Sequence, residues 1–388
     1  MPAACGCLTG CGTRKEIVMP HRQLDRSSVR MEPLRARTHK KTIATDHVAP
    51  ETPPPPVPDA SRHILEETVE RIRAARRADK PVVLAFGAHA IKNGLGPVLL
   101  RLVERGWLTH LATNGAGVIH DWEFAWLGQS CENVSQMVTE GRFGNWQETG
   151  FFINLAINVG AYEGRGYGES VGAMIETEGL TIPEPTKLET VIRDSVATDP
   201  LLAAAAADLL HLIRKFQLQP GRLDIAHPSK QFSIQAGAYR HGIPFTSHPM
   251  FGHDIIYNHP MNHGAALGRA AQRDFLAFAH SISDLDGGVY LSVGSAVMSP
   301  MIFEKSLSLA QNLAIQQGTH IDQHFILVSD LAASTWDWSQ GEPPEENPAY
   351  YLRYNKTFSR MGGTMRYLQA DNRCLLLNLL HLLGDCQD

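Results

Sequence analysis

Residues 81–123 read PVVLAFGAHAIKNGLGPVLLRLVERGWLTHLATNGAGVIHDWE, and this stretch decides the fold class. Val82 to Phe86 form an apolar run too short for a buried helix, which predicts a core strand of a parallel sheet. Gly87 makes a turn. Leu95, Val98, Leu99, Leu102 and Val103 then recur at helical spacing, with Arg101, Glu104 and Arg105 on the opposite face and Gly106 as C-cap. Leu108 to Thr113 predict a second strand that runs into the turn Asn114-Gly115-Ala116-Gly117. The result is one β-α-β unit with a glycine bend past the carboxyl end of each strand. Such bends let backbone approach a bound group, and a nucleotide or dinucleotide is the natural occupant. Tight turns without a ligand are the alternative, and the spacing of Gly87, Gly94 and Gly96 departs from G-x-G-x-x-G.

The chain has 388 residues, 43% hydrophobic and 19% charged, enough for a sizeable core. A net charge of −5 argues against nucleic-acid or membrane-surface binding as the main activity. No apolar run reaches transmembrane length. Six cysteines, three of them Cys5, Cys7 and Cys11, suit a reducing compartment, so a cytoplasmic location is expected. The C-x-C-x3-C cluster lacks a second half, and no metal site is assigned. Met19 and Met31 offer later starts, which mass spectrometry of the natural N-terminus would decide.

Residues 1–50 are polar and basic without periodicity, and residues 52–58 form a proline-rich linker. These observations predict a disordered extension over 1–58 and a single domain over 59–388. Helices are expected from Asp59 to the Arg73–Lys80 turn, over 200–217, and before His241-Gly242. Residues 124–180 are glycine-rich and aromatic and read as loops. Ile243–Ser247, Gly288–Gly294 and His324–Asp330 are further strands. The alternation gives an α/β class, a doubly wound, mostly parallel sheet with Rossmann-like topology.

In that class ligands lie beyond the carboxyl ends of the strands. The densest polar feature there is the loop holding His248, His253, Asp254, His259 and His263, able to supply metal ligands, acid–base groups or neither. Residues 336–356 place acidic groups beside Trp and Tyr rings, which suits a cationic amine or a plain surface loop. Lys356 lies among Tyr354 and Phe358, where a lysine can have a lowered pKa and form an imine, or simply reach solvent.

Taken in order, these pieces resemble the deoxyhypusine synthase family and its homospermidine-synthase-like relatives. The likeness runs from about residue 80 to the end and is weakest over 124–225. The family's T-T-A-G-G-V-E-E-D turn is similar to Thr113–Asp121, its G-D-M-I-x-F-H run to His253–His259, and its M-I-I-L-G-G-G-V-V strand to Val289–Val297. Its W-G-K-I and A-D-A-S are matched by Tyr354–Thr357 and Ala370–Arg373. The resemblance implies an NAD-dependent transferase that moves an aminobutyl group from a polyamine through a lysine imine, in a homotetramer. It puts the lysine at Lys356, and the amine at Asp254, Tyr354 and Glu345 or Glu346. Cofactor contacts would fall on Gly87, Ala88, Thr113, Asn114, Ala116, Gly117, Ser295, Ala370 and Asp371. Met298-Ser299-Pro300 stand where the family has its catalytic histidine, and Ile119 and His120 where it has paired glutamates. Losing a proton-handling group costs about a hundredfold in rate or more, and His259 is the nearby histidine that can substitute. The other readings are a metal- or phosphosugar-handling enzyme on the same fold, and a ligand-binding homologue without chemistry.

Overall fold

The computed structural model describes residues 21–384. Its centre is a six-stranded sheet: β1 (Val82–Phe86), β2 (His110–Thr113), β3 (Phe245–Ser247), β4 (Val289–Val293), β5 (Phe325–Asp330) and β6 (Thr364–Gln369). All pairings are parallel and the spatial order is 3-2-1-4-5-6, that of a doubly wound dinucleotide-binding sheet. Phe86 pairs with Thr113 on one side and Val293 on the other, so the carboxyl ends form one level rim. The order reverses between β1 and β4.

Alternation along the strands divides the core. Leu84, Phe86, Leu111, Leu291 and Leu327 face a layer holding Asp59–Arg77, Gly96–Glu104 and Asn372–Leu383. Val83, Ala85, Tyr290, Ile326 and Val328 face Phe278, Phe303 and Phe358 from helices Gly264–Ser283, Met298–Gln316 and Arg353–Phe358. Every residue of β1 and β4 is buried, which explains the apolar run of β1 and that of β4, interrupted only by Ser292.

Three expectations change. Residues 124–180 are largely helical, with helices Gly115–Leu127, Gln147–Glu163 and Tyr167–Thr177. Their glycines serve close packing: a Cβ on Gly160 would strike Ser170, and one on Gly168 the Phe245 carbonyl. Strand β6, an edge with a broken apolar pattern, gave no strand signal. Packed chain also begins well before Asp59. Leu34 is fully buried, Lys41–Thr42 pair antiparallel with Gln129–Ser130, and the Pro55 carbonyl accepts a bond from Asn378 Nδ2 at 2.9 Å. Within the described part of the basic segment, Arg37 meets a buried counter-charge, Glu123, which composition does not reveal. Cys5, Cys7 and Cys11 lie outside the described residues.

Candidate active site

At the switch point the ends of β1 and β4 touch. Gly87 N–H donates to the Val293 carbonyl at 3.0 Å, and a Cβ on Gly87 would collide with the Gly294 carbonyl. Gly294 turns with φ +56° and leads through Ser295 into helix Met298–Gln316, whose N-cap residue, Val297, offers no capping side chain. Ser295 Oγ accepts from Ser299 N–H at 3.2 Å. Ala88 opens the short helix Ala88–Lys92. On the far side, Ala370 N–H donates to the Asp330 carbonyl at 3.1 Å, and Asp371 caps the last helix through Cys374 N–H.

The second bend is tied down from within. Thr113 Oγ1 donates to the Phe86 carbonyl at 2.9 Å, and Asn114 Oδ1 accepts from Gly117 N–H at 2.9 Å, starting helix Gly115–Leu127. A Cβ on Gly117 would meet Thr113 Oγ1, and one on Gly115 the Asp254 carboxylate. Asp254 therefore occupies the helix start where sequence reading expects phosphate, and the favourable field there goes to a carboxylate. Among the helix starts on the rim, Gly115–Leu127 and Asn372–Leu383 carry an amide and an acidic cap, whereas Ala88–Lys92 and Met298–Gln316 carry neither.

Beside this bend lies a chamber of about 230 Å³. Its wall includes Lys92, Ala116, His120, Cys131, His253 and Asp254, contributed by segments on both sides of β2 and by the loop after β3. The Asp254 Oδ2 atom is buried and takes no hydrogen bond among the described residues. Burial pushes this carboxyl up to about 6, opposed by the charge of His253 and by the neighbouring Tyr257 hydroxyl. The Lys92 ammonium has no hydrogen-bond or ion-pair partner among the described residues, although its charge is felt by His120 and Cys131.

Behind His120 stands a buried relay. Ser130 Oγ donates to Glu123 Oε2 at 2.5 Å, so the 2.8 Å contact between His120 Nδ1 and Ser130 Oγ requires Nδ1 to carry the proton. Nε2 is then the acceptor, with no protein partner among the described residues. Burial pulls His120 down to about 4, with Glu123 acting in the opposite sense, so the ring is neutral at pH 7. Glu123 is held by Arg37 through two bonds of 3.0 and 2.6 Å and by Thr149 Oγ1 at 3.0 Å. Burial disfavours its charge, but Arg37 outweighs that and its pKa ends lowered. Cys131 Sγ lies 3.9 Å from His120 Nδ1, on backbone of φ +65°, and burial raises its thiol pKa.

The other sequence-assigned residues fall elsewhere. Lys356 Nζ lies 3.0 Å from Glu342 Oε1 and 3.2 Å from the centre of the Tyr350 ring, in the segment joining β5 to β6. Desolvation lowers its pKa, but Tyr350 and Glu342 outweigh that and the net shift is upward, contrary to the lowered value expected for an imine-forming lysine. Tyr354 packs against the second core cluster, and Glu346 is exposed. His259 is buried, its Nε2 3.2 Å from Gln147 Oε1 and its Nδ1 accepting from Met261 N–H at 2.9 Å; burial holds it near 4. His248 bonds to Thr246 Oγ1 at 3.0 Å and His263 lies 3.9 Å from Asp208, so the histidine loop disperses its rings. No group of three or more metal-ligating side chains converges among the described residues. Sequence reading missed Lys92, Cys131, Glu123 and Arg37 as neighbours of Asp254; no spacing rule links them.

No protein family matches the chain, and no curated protein does. Among solved structures it is similar to ArgZ, an arginine dihydrolase from the ornithine–ammonia cycle in Cyanobacteria, at 16% identity over 82% of this chain and 32% of that one, TM-score 0.38. It is similar to AgrE in complex with ornithine and NAD+ at 14% identity, over 84% of this chain and 34% of that one, TM-score 0.40. A protein named as a deoxyhypusine synthase from Entamoeba histolytica shares 10% identity over 84% of this chain and 92% of that one, TM-score 0.33. The chain spans about a third of the length of ArgZ and AgrE. Likenesses this distant concern the fold and decide nothing about activity.

Proposed function

We propose that this chain is an NAD-dependent enzyme acting on a small amine. The observation that carries the amine is the buried Asp254 carboxylate in the wall of a chamber of small-molecule size, with no ion-pair partner among the described residues. An ammonium group would satisfy it and restore its charge. The cofactor reading is supported by the reversal of strand order at β1 and β4, where bare backbone at Gly87 and Gly294 meets the start of helix Met298–Gln316, whose first turn is held by a neutral hydroxyl, Ser295 Oγ, and by no carboxylate. Helix Ala88–Lys92 links the two features, since five residues of helix rise span only about 7 Å between the switch point and the chamber wall.

When bound, the nicotinamide supplies a hydride acceptor for the carbon bearing the nitrogen. The chain's own groups do the rest. Asp254 holds and orients the ammonium, and His120 Nε2 takes its proton. Ser130, Glu123 and Arg37 fix the required tautomer and stabilise the imidazolium that forms. Transfer of an aminobutyl group through Lys356, the finer form that the resemblance implies, needs that amine deprotonated, and its contacts favour the charged form. Assembly into a tetramer is proposed on the resemblance alone.

The test is NAD titration by fluorescence, followed by NADH formation in the presence of diamines and amino acids. The expected result is NAD binding and amine-dependent reduction, with Asp254→Asn abolishing reduction while NAD affinity is kept. Absence of NAD binding would remove the cofactor, and full activity in Asp254→Asn would remove the amine site.

A further inference from the structure

We infer, on the cofactor reading above, that the dinucleotide lies with its adenosine half over β4 and β5, and that Asp330 selects NAD over its 2′-phosphorylated form, NADP. The sheet divides at the switch point into two units of one build, β1-β2-β3 and β4-β5-β6, set back to back. In the first unit Phe86 pairs with Thr113, and in the second Val293 pairs with Ser329. One residue further on, Gly87 lies across from Asn114 and Gly294 across from Asp330, each pair separated by one strand spacing of about 5 Å. Asn114 and Asp330 are therefore equivalent positions. Each ends the second strand of its unit, where an adenosine-binding unit carries the acid that meets the ribose 2′-hydroxyl.

The two positions differ in what they leave free. Asn114 Oδ1 accepts from Gly117 N–H at 2.9 Å, and the Asp254 carboxylate rests on the next residue, Gly115. Asp330 Oδ1 accepts from Leu331 N–H at 2.7 Å, which orients the carboxylate, while Oδ2 takes no hydrogen bond or ion pair among the described residues. The backbone on either side is fixed: Gly294 N–H donates to the Ser329 carbonyl at 2.9 Å, and Ala370 N–H to the Asp330 carbonyl at 3.1 Å. A carboxylate only accepts, so a 2′-hydroxyl suits Oδ2. A 2′-phosphate would bring roughly two negative charges against it. Segments 294–297 and 330–337 hold no lysine or arginine to offset that repulsion. The third segment at this end of the sheet, 370–373, ends in Arg373, exposed on the second residue of the last helix. With adenosine on the second unit, the nicotinamide falls on the first, beside Asp254 and the chamber.

The test measures calorimetric affinity of the full chain for NAD, NADP and the analogue of NAD that carries 2′-deoxyadenosine. NAD is expected to bind about tenfold to a hundredfold more tightly than either, the contribution of one charge-assisted bond. In Asp330→Ala, NAD should weaken to the level of the deoxy analogue, and NADP should approach it. ADP-ribose should lose as much affinity as NAD in this variant, whereas nicotinamide mononucleotide should lose none. The Asp330 side chain bonds to the backbone of the two residues that follow it, so the variant should fold, and a thermal melt checks this. The comparison of NAD with its deoxy analogue is made on the unaltered chain and needs no variant. Equal affinity for those two, NADP binding as tight as NAD through Arg373, or a loss confined to nicotinamide mononucleotide overturns the role of Asp330 and leaves NAD binding standing. Binding of none of the dinucleotides removes the cofactor reading as well.

Discussion

The Asp254 carboxylate rests on the bare Cα of Gly115, at the first turn of the helix that follows β2. Any side chain at 115 would occupy the space of that carboxylate. The contact joins the loop after β3 to the bend after β2 and sets the carboxylate in the chamber wall. It also replaces a phosphate cradle with a fixed anion.

Gly115→Ala tests the contact directly. Residue 115 lies within a helix, so alanine suits the backbone. The methyl group should displace Asp254 and lower amine affinity by about tenfold or more, with NAD affinity and the thermal melt little changed. Wild-type amine affinity in this variant would show that Asp254 does not hold the ligand.

Amine affinity should depend on pH through Asp254. Its folded pKa is raised to about 6 by burial, so the carboxylate is charged above that and protonated below. Affinity should be greatest above pH 6 and fall about tenfold per unit below it, and Asp254→Asn should be weak at every pH. The same shift means that the unliganded fold binds this proton more tightly than the unfolded chain. Asp254 therefore makes the fold less stable as pH rises from about 4 through 6. Calorimetry across this range checks both signs.

Arg37→Met should destabilise the protein by about 3–5 kcal/mol, because it strands Glu123, whose side chain is fully buried, without its counter-charge. The double variant Arg37→Met with Glu123→Leu should recover much of the loss. Urea denaturation measures both. A small effect of the single variant would mean that the segment before Asp59 contributes little to the fold.

Acid should unfold the protein through its histidines. Burial holds His47, His120, His227 and His259 near 4, and His110 and His248 near 3, against an ordinary value of 6.5. Below pH 6.5 the unfolded chain takes up protons that the fold refuses, so stability falls as pH drops towards 4. Asp254, and Asp274 at about 7, act in the opposite direction but are outnumbered. The urea midpoint should decline steadily between pH 7 and 4.

Much of the sheet was legible because local pattern encodes it. The runs at 82–86, 289–293 and 325–328 are buried on both faces, so their letters are apolar except for Ser292. The glycines of 150–172 misled because a glycine that admits a neighbouring helix has the same letter as one that makes a turn. Of the residues assigned from sequence, Asp254 and Ala116 line the chamber, whereas Lys356 lies in a separate ion pair with Glu342.

The sequence by itself determined the layered α/β class, the β1–β2 unit and the glycine bends at its rim, because strand burial and helix amphipathicity are short-range periodicities. Only the tertiary structure decided which charges meet. Arg37, Lys92, Glu123, Cys131 and Asp254 come from five separated segments, and whether each finds a partner depends on distances across the fold that no local pattern records. Glu123 is neutralised there, and Asp254 is left without an ion-pair partner among the described residues. That difference, set by packing and desolvation, marks the chamber as a site.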